Sequence, residues 1–580
     1  MRTQISQDII SRAIEWLGEY FDDYTKAEIK RMLEKDHEEL IEAFYRDLDF
    51  GTGGLRGIIG IGTNRMNRYT VGMSTQGLAN YLNKININND ILKVAIAYDS
   101  RNKSKEFAEI TAEVLSANGI KVFIFDKLRP IALLSFAIRY LKCNAGVVIT
   151  ASHNPKEYNG YKVYWSDGAQ LIAPHDKNII NEIKNIKISD VKFNKNYNLI
   201  SIINEEIDNA YLQKVKELSL EPDIIKKYHN ICIVYSALHG SGTNIIPKAL
   251  EMYGFTNVNI VPEQSQPDGN FPTVKSPNPE EPSAMQMAIQ LAQKLNANLV
   301  IATDPDADRV GVGIKDNANN YILLNGNQTA SIIIYYLLKK YKEKLLLTPQ
   351  HYIVKTIVTT DLLKEMANKA GIICYEVLTG FKYIANIINK FEGKKFFIGG
   401  GEESYGYLIG DFVRDKDAII SCCIIAEIAA WAKSQNISMY ELLINIYKEY
   451  GFYYEKLISI EKKGKKGLEE IATMMNNFRT NIPKILNGSR IIGIKDYKTS
   501  IYTNLLNNEE QIIDLPKSDV IQWLLEDETK ITIRPSGTEP KIKFYFGIKT
   551  DFNNQTNIED LIIILNERVT KIAKELNILN

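Results

Sequence analysis

The sequence predicts an α/β fold: three consecutive α/β domains with mixed or parallel sheets, then a smaller C-terminal α+β domain. Three observations predict it. Apolar runs of strand length alternate with amphipathic helical stretches, first as a strand at 93–99 (KVAIAYD), a helix at 104–118 ended by Gly119, and a strand at 121–126 (KVFIFD). That order favours parallel sheets. The same grammar returns from Ile231 (ICIVYSALHG) to Leu299 (LVIATDPDADR), and again from Ile353 (IVKTIVTT) through Ile373 (ICYEVLTG) to Phe396 (FFIGGGEESYG). Finally, 580 residues at ~150 per domain make about four domains.

The elements follow in order. The first 45 or so residues read as helix, with Ile10, Ile14 and Leu17 at helical spacing and a second run over 26–45. Near Gly451 the pattern changes to a helix around 467–478, an alternating strand pair over 531–548 and a last helix from Ile558. The boundaries this implies are 1–205 for the helical extension and first α/β domain, 206–325 for the second, 326–450 for the third and 451–580 for the fourth. A Pro- and Asn-rich stretch at 262–282 is a loop of the length that is usually functional or mobile.

Composition narrows the function. Lys+Arg and Asp+Glu stand at 70 each, without the basic surplus of a nucleic-acid binder. The five cysteines (Cys143, Cys232, Cys374, Cys422, Cys423) form no CxxC pair, and the adjacent two lie in an apolar run as buried thiols would. The first twenty residues lack the apolar core of a signal peptide. The most hydrophobic stretch, 418–432, carries Glu427 and is shorter than the ~20 apolar residues of a membrane span. A cytoplasmic protein that binds neither membrane nor nucleic acid is expected.

Four polar segments follow or continue apolar strands, the placement where open α/β sheets bind ligands. In 145–155 (AGVVITASHNP) a strand delivers Ser152 to a tight turn beside His153. Alone, this serine reads first as a turn or helix cap and second as a nucleophile with a neighbouring base. In 299–309 (LVIATDPDADR), Asp304, Asp306 and Asp308 alternate at a strand end, with Arg309 after them. Such carboxylates repel by about 1 kcal/mol per pair at ~4 Å even in water, and a divalent cation with hard oxygen ligands, such as magnesium, removes that repulsion. An EF-hand is excluded, because Arg309 and Lys315 stand where its glycine and glutamate would be. In 396–406 (FFIGGGEESYG), Glu402 and Ser404 can read vicinal hydroxyls. In 531–540 (ITIRPSGTEP), Arg534, Ser536, Gly537 and Thr538 make an anion cradle. Arg56 in GTGGLRG and Lys162 in NGYKVY add cations that singly would be ordinary surface charges.

Together the order GTGGLRG, TASHNP, DPDADR, GEESYG, RPSGTEP resembles the α-D-phosphohexomutases, the phosphoglucomutase and phosphomannomutase family, over nearly the whole chain. Its helical extension and its length resemble the phosphoglucomutase-2 branch. The resemblance implies four domains around a central cleft. It implies Ser152 as a phosphoserine, with Mg2+ between it and Asp304, Asp306 and Asp308. Arg309 would steady the transferring group, with Arg56, His153 and Lys162 for proton transfer and charge stabilisation. Thr379, Gly380 and Lys382 of LTGFK would join Glu402 and Ser404 around the sugar, while Arg534, Ser536, Gly537 and Thr538 would clamp the non-reacting phosphate. The reaction implied interconverts hexose 1-phosphate and hexose 6-phosphate, with glucose first, through a bisphosphate such as glucose 1,6-bisphosphate, which also serves as activator. Tyr405, where some phosphomannomutases carry glycine, leans the reading towards glucose. Mannose or pentose phosphates are the alternative substrates, and monomer and homodimer are both open.

Two rivals differ in kind. A strand followed by Asp-x-Asp also opens haloacid-dehalogenase-like phosphotransferase sites, which would make Asp304 the nucleophile; a non-catalytic sugar-phosphate sensor would bind without turnover. The first leaves TASHNP and RPSGTEP unexplained. Intact mass separates the nucleophiles: acid-stable phosphate on the purified protein is expected to vanish in Ser152→Ala. Phosphate kept in Ser152→Ala but lost in Asp304→Asn would reverse the assignment.

Overall fold

The computed structural model describes residues 5–51, 54–88, 90–462, 464–536, 541–553 and 557–579, without the side chains of 464–466. These form two compact units: Met1–Asn325 with Ile388–Lys390 and Tyr405–Asn436, and Gly326–Ile387 with Phe391–Ser404 and Ile437–Asn580.

The chain begins with three helices, α1 (Gln7–Glu15), α2 (Asp23–Lys35) and α3 (His37–Phe44). The expected run over 26–45 is therefore two helices. The Asp36 side chain accepts from the Glu39 amide at 3.2 Å, an N-cap that starts a new helix where the pattern alone reads through. Leu17 lies beyond α1, in the turn that ends it. Trp16, Phe21, Phe44 and Tyr69 cluster beneath these helices.

The first sheet gathers β1 (Gly54–Ile58), β2 (Lys93–Tyr98), β3 (Lys121–Phe125), β4 (Ala145–Ile149), β5 (Tyr158–Trp165) and β6 (Ile200–Ile203) in the order β1-β5-β4-β2-β3-β6. The helices α4 (Arg68–Ile85), α5 (Ser104–Ala117), α6 (Ile131–Tyr140) and α7 (His175–Lys184) lie between its strands in sequence. β2 runs parallel to β3 and β4, as the strand–helix–strand order predicts, whereas the short link from β4 to β5 returns antiparallel. That return places the TASHNP turn at the carboxyl end of β4.

After α8 (Glu205–Glu217) and α9 (Pro222–Lys227), a second sheet takes β7 (Ile233–Ser236), α10 (Gly242–Tyr253), β8 (Val258–Ile260), α11 (Pro282–Leu295), β9 (Leu299–Thr303), β10 (Val310–Lys315) and β11 (Tyr321–Leu324), with strand order β11-β10-β9-β7-β8. It too is mixed: β7 pairs parallel with β8 and β9, while β10 folds back antiparallel on β9. The DPDADR segment is that fold-back.

In the second unit, α12 (Gly326–Glu343) leads to β12 (His351–Thr356), α13 (Leu362–Lys369), β13 (Ile373–Val377), α14 (Phe381–Phe391) and β14 (Phe396–Gly401), with β13 and β14 both parallel to β12. Gly400 is required here, since a Cβ would stand 2.2 Å from the Val354 carbonyl oxygen. The chain then supplies the first unit with β15 (Tyr407–Ile409) and α15 (Ala418–Ser434). α15 is mostly apolar and buried along nearly its whole length, as a core helix must be, and its one acid, Glu427, accepts from Ser219 and the amides of Leu220 and Glu221. Among the described residues no single helix is long and apolar enough to cross a membrane. α16 (Met439–Tyr450) follows, then an antiparallel sheet built on β16 (Phe452–Glu461), with α17 (Gly464–Thr480) and α18 (Ile558–Glu575). Its strands are β17 (Ile485–Leu486), β18 (Ser489–Asp496), β19 (Ile501–Asn504), β20 (Glu510–Ile512), β21 (Ile521–Leu525), β22 (Lys530–Pro535) and β23 (Lys541–Thr550), ordered β16-β23-β22-β21-β18-β19-β20 with β17 on β18. β22 and β23 are the expected pair.

A buried ion network joins strands of the second unit. The fully buried Lys355 ammonium meets Asp361 at 2.8 Å and Glu376 at 2.9 Å, and Lys530 meets Asp361 at 2.6 Å. Burial opposes ionisation of Glu376, but Lys355 outweighs it and holds the carboxyl near 2, below its usual 4.5; Asp361 is depressed in the same way. Carboxylates depressed on folding stabilise fully above their unfolded pKa and lose that contribution as pH falls through the folded value. Hydrogen exchange at the β12 and β13 amides is therefore expected to accelerate as pH drops from 4.5 towards 2, after correction for intrinsic rates. Lys355→Met, which leaves Asp361 to Lys530 and Glu376 to Lys364 alone, is expected to lower protection there by about 1–3 kcal/mol at neutral pH.

Candidate functional site

Two clusters carry the polar segments, one in each unit. The first is built around Ser152, which is 4% exposed and holds φ at 54°, a left-handed conformation uncommon for a residue with a Cβ. Its Oγ donates to Asp304 Oδ2 at 2.8 Å and lies 3.1 Å from His153 Nδ1. Its amide donates to Thr150 Oγ1 at 2.9 Å, and that hydroxyl lies within reach of Asp99 Oδ2 (2.7 Å) and Asp306 Oδ2 (3.1 Å).

The turn is held from beneath by Arg101. Its guanidinium donates to the carbonyls of Ser152 (2.6 Å), Pro155 (2.9 Å), Tyr158 (3.1 Å) and Asn154, and its Nε stands 3.4 Å from Asp99 Oδ2. Gly160 is a close approach, where a Cβ would meet the Thr150 carbonyl oxygen at 2.5 Å.

Asp304, Asp306 and Asp308 come together as predicted. All three are buried, and one oxygen from each falls within 4.8 Å of the others. Burial, then the neighbouring carboxylates, pushes Asp304 and Asp308 above the usual carboxylate range. Burial opposes ionisation of Asp306 too, but the Lys162 ammonium at 3.1 Å holds it low. Lys416 Nζ sits 3.2 Å from Asp308 Oδ2 and 3.1 Å from Asp415 Oδ1, and Asp415 in turn accepts from Tyr164 at 2.6 Å. The amides of Asp308 and Arg309 donate to Asp304 Oδ1 at 3.1 and 3.0 Å. Asp306 Oδ1 and Asp308 Oδ1 remain buried without a hydrogen-bond partner. Two orphaned hard oxygens in a three-carboxylate cluster are what a small divalent cation requires, so the residues fit a metal.

The remaining predicted groups lie around this core. His153 is held neutral, first by burial and then by Arg309 and Arg56. Arg56 on β1 is exposed and donates to Asn154 Oδ1 at 3.2 Å. The Arg309 guanidinium contacts Glu280 and stands 3.9 Å from Asp308 Oδ1.

The second cluster joins two loops. Gly380, at φ 122°, donates its amide to Glu402 Oε1 at 2.9 Å, so the LTGFK and GEESYG segments meet. Thr379 Oγ1 is buried without a hydrogen-bond partner, Lys382 lies over the Tyr383 ring at 5.3 Å, and Ser404 is half-buried. Glu403 accepts from Thr356 at 3.3 Å, and burial, then Glu402, raises it to about 7. Arg534 stands directly opposite Lys543 across β22 and β23, and both cations act on the Glu403 carboxyl against the effect of burial. Ser536 donates its amide to the Lys541 carbonyl at 2.7 Å. Gly537 and Thr538 lie outside the described residues.

Sequence reasoning missed Asp99, Thr150, Arg101, Lys416, Glu280 and Glu403. A legible signal existed for two of them: Asp99 and Arg101, in YDSR, stand at the carboxyl end of β2, beside β4.

A buried strand-end serine is thus joined to a carboxylate cluster fit for a metal, an arrangement compatible with phosphoryl transfer. Sequence models of the phosphoglucomutase/phosphomannomutase alpha/beta/alpha domains I, II and III match residues 47–189, 209–317 and 325–450. The chain is 39% identical to the phosphoglucomutase of Staphylococcus haemolyticus (strain JCSC1435), across 88% of this chain and 92% of that one. It is 37% identical to that of Staphylococcus aureus (strain MRSA252), across 91% and 94%. In fold it resembles a phosphoglucomutase/phosphomannomutase family protein from Burkholderia thailandensis (TM-score 0.65, 16% identity, 91% of this chain and 97% of that one). It also resembles pp63/parafusin, a phosphoglucomutase of Paramecium, in its open form (TM-score 0.67, 17% identity, 91% and 96%). The chain belongs to the phosphoglucomutase/phosphomannomutase family, the α-D-phosphohexomutases, and is an enzyme, a phosphosugar mutase of the isomerase class.

Because three carbonyls of the serine turn and that of Tyr158 at the start of β5 converge on one guanidinium, Arg101→Lys is expected to lower kcat about 10²-fold through misplacement of Ser152. KM should stay within about two-fold. Steady-state kinetics checks both.

Proposed function

We propose that the chain interconverts glucose 1-phosphate and glucose 6-phosphate through a phosphoryl group carried on Ser152, by way of a bound glucose 1,6-bisphosphate. The observation that carries this reading is the 2.8 Å bond between Ser152 Oγ and Asp304, which puts the serine at the edge of the carboxylate cluster. The Staphylococcus relatives, phosphoglucomutases by name, support glucose as the sugar.

In the first half-reaction a substrate hydroxyl attacks the phosphorus of phosphoserine. The new O–P bond forms as the Ser152 Oγ–P bond breaks, and the hydroxyl proton leaves to a base. The second transfer reverses these roles on the other end of the sugar. His153, held neutral and 3.1 Å from Ser152 Oγ, can take the serine proton when the carrier is reloaded. Lys162 and Arg309 offset charge on the equatorial phosphoryl oxygens. Asp304, Asp306 and Asp308 would hold a divalent cation, Mg2+ by their hard donors, which when bound polarises the phosphoryl group. Glu402, Ser404, Thr379 and Gly380 read the sugar hydroxyls, with Lys382 beside them, and Arg534 with Ser536, Gly537 and Thr538 clamps the phosphate that is not reacting. Arg56 adds a cation near the serine turn. Mannose and pentose phosphates, which differ by a hydroxyl's configuration or one carbon, are alternative substrates that such a pocket separates by only a few kcal/mol.

A coupled assay on glucose 1-phosphate, mannose 1-phosphate and ribose 1-phosphate, with and without bisphosphate, tests this. Turnover is expected to be highest with glucose 1-phosphate and to rise with bisphosphate. Ser152→Ala should lose at least about 10³-fold. Chelation should abolish activity and Mg2+ restore it. Binding without turnover under all conditions would favour the sensor.

A further inference from the structure

The long segment between β8 and α11 takes no part in the reaction as described, yet it touches the serine turn and its cations at several points. His239 anchors it. Its Nδ1–H donates to the Gln266 carbonyl at 3.0 Å, which leaves Nε2 to accept from Thr273 Oγ1 at 2.9 Å. Leu238 and His239 both adopt positive φ (44° and 60°) to make the turn, and the Asp268 amide donates back to the His239 carbonyl at 3.2 Å. From there the segment runs along the site. The Phe271 ring lies 5.1 Å from the Arg101 guanidinium carbon. Gly269 leaves no room for a Cβ, which would stand 2.3 Å from the Asn102 amide nitrogen. Ser276 Oγ donates to the His153 carbonyl at 3.0 Å. Pro279 packs on β10 where a Cβ on Gly311 would meet its carbonyl oxygen at 2.6 Å. One residue further on, the Glu280 carboxylate contacts the Arg309 guanidinium.

Glu280 differs from the other acids near Arg309. Asp308 is buried and belongs to the metal-fitting cluster, whereas the Glu280 side chain keeps 29% of its surface exposed. A carboxylate in that position can leave a guanidinium and be rehydrated at small penalty. A phosphoryl group, with more charge and three acceptor oxygens, competes for the same planar fork of donors.

We propose that Glu280 is a positioning residue for phosphoryl transfer: it occupies Arg309 while no phosphoryl group is present and gives the guanidinium up to the phosphoryl group when one arrives. This rests on the reading of Arg309 as a phosphoryl contact. The anchored segment keeps Arg309 aimed in the empty site, so the arginine is not left to swing into solvent. The exchange replaces one anion with another and breaks no covalent bond.

The test is calorimetric titration of glucose 1,6-bisphosphate, with Mg2+, into the full-length protein and its variants, alongside steady-state kinetics on glucose 1-phosphate. Glu280→Gln removes the competing charge. It is expected to tighten bisphosphate binding three- to ten-fold and lower KM in step, while kcat falls as Arg309 loses its aim. Glu280→Ala should move binding in the same direction, and serves if the glutamine variant folds poorly. In an Arg309→Met background, Glu280→Gln should leave the affinity unchanged, because nothing remains to compete for. Unchanged or weaker binding in Glu280→Gln, or the same gain with Arg309 absent, overturns the proposal. If Arg309→Met alone leaves both binding and turnover as in the wild type, the underlying role of Arg309 fails instead.

Discussion

Three carboxylates buried at the end of β9, close enough for one oxygen of each to fall within 4.8 Å of the others, set the terms for the rest of the first unit. In water such repulsion is about 1 kcal/mol per pair; away from water it is several times larger. The chain answers with cations and donors from separate elements: Lys162 from β5, Lys416 from the segment before α15, Thr150 from the end of β4, and the amides of Asp308 and Arg309. Even so, two oxygens stay orphaned. The cluster is therefore incomplete without a positive ion, and Ser152 is hydrogen-bonded to its rim.

The serine turn meets a second demand, that of fixing an uncommon backbone conformation. Arg101 does this through carbonyls, which suits a turn whose amides face elsewhere, and Asp99 balances the buried charge. The second unit mixes both signs of charge, with Glu403 beside Arg534 and Lys543. Arg534 faces Lys543 across a strand pair, and the loops at Gly380 and Glu402 present an amide and a carboxylate to each other.

Much of this was legible in the residues. The strands at 93–98, 121–125 and 299–303 announced themselves because each is a short apolar run with clear ends, and the DPDADR acids could hardly be solvated when such a strand delivers them. The sheet beyond residue 485 was largely missed. IYTN and EQI are short and lie partly or wholly in solvent, so period-two patterning is weak there, and the glycine within SRIIGIKD interrupts its alternation. The helical run over 26–45 was read through Asp36, since periodicity does not register a cap. Asp99, Arg101 and Lys416 were overlooked for a different reason: their roles depend on strands distant in sequence lying side by side. Glu280 sat within a loop whose length alone marked it, and nothing in its neighbours pointed to Arg309.

The path of the chain has a consequence for biosynthesis. The first unit is not closed when residue 325 is made; it still needs Ile388–Lys390 and Tyr405–Asn436, including the largely apolar α15. Until that helix is translated, on the order of ten seconds later, the groove it fills against α10 stays open, and Asp308 is without Lys416. The first unit thus receives α15 and Lys416 last, while residues 437–580 of the second unit have still to be made.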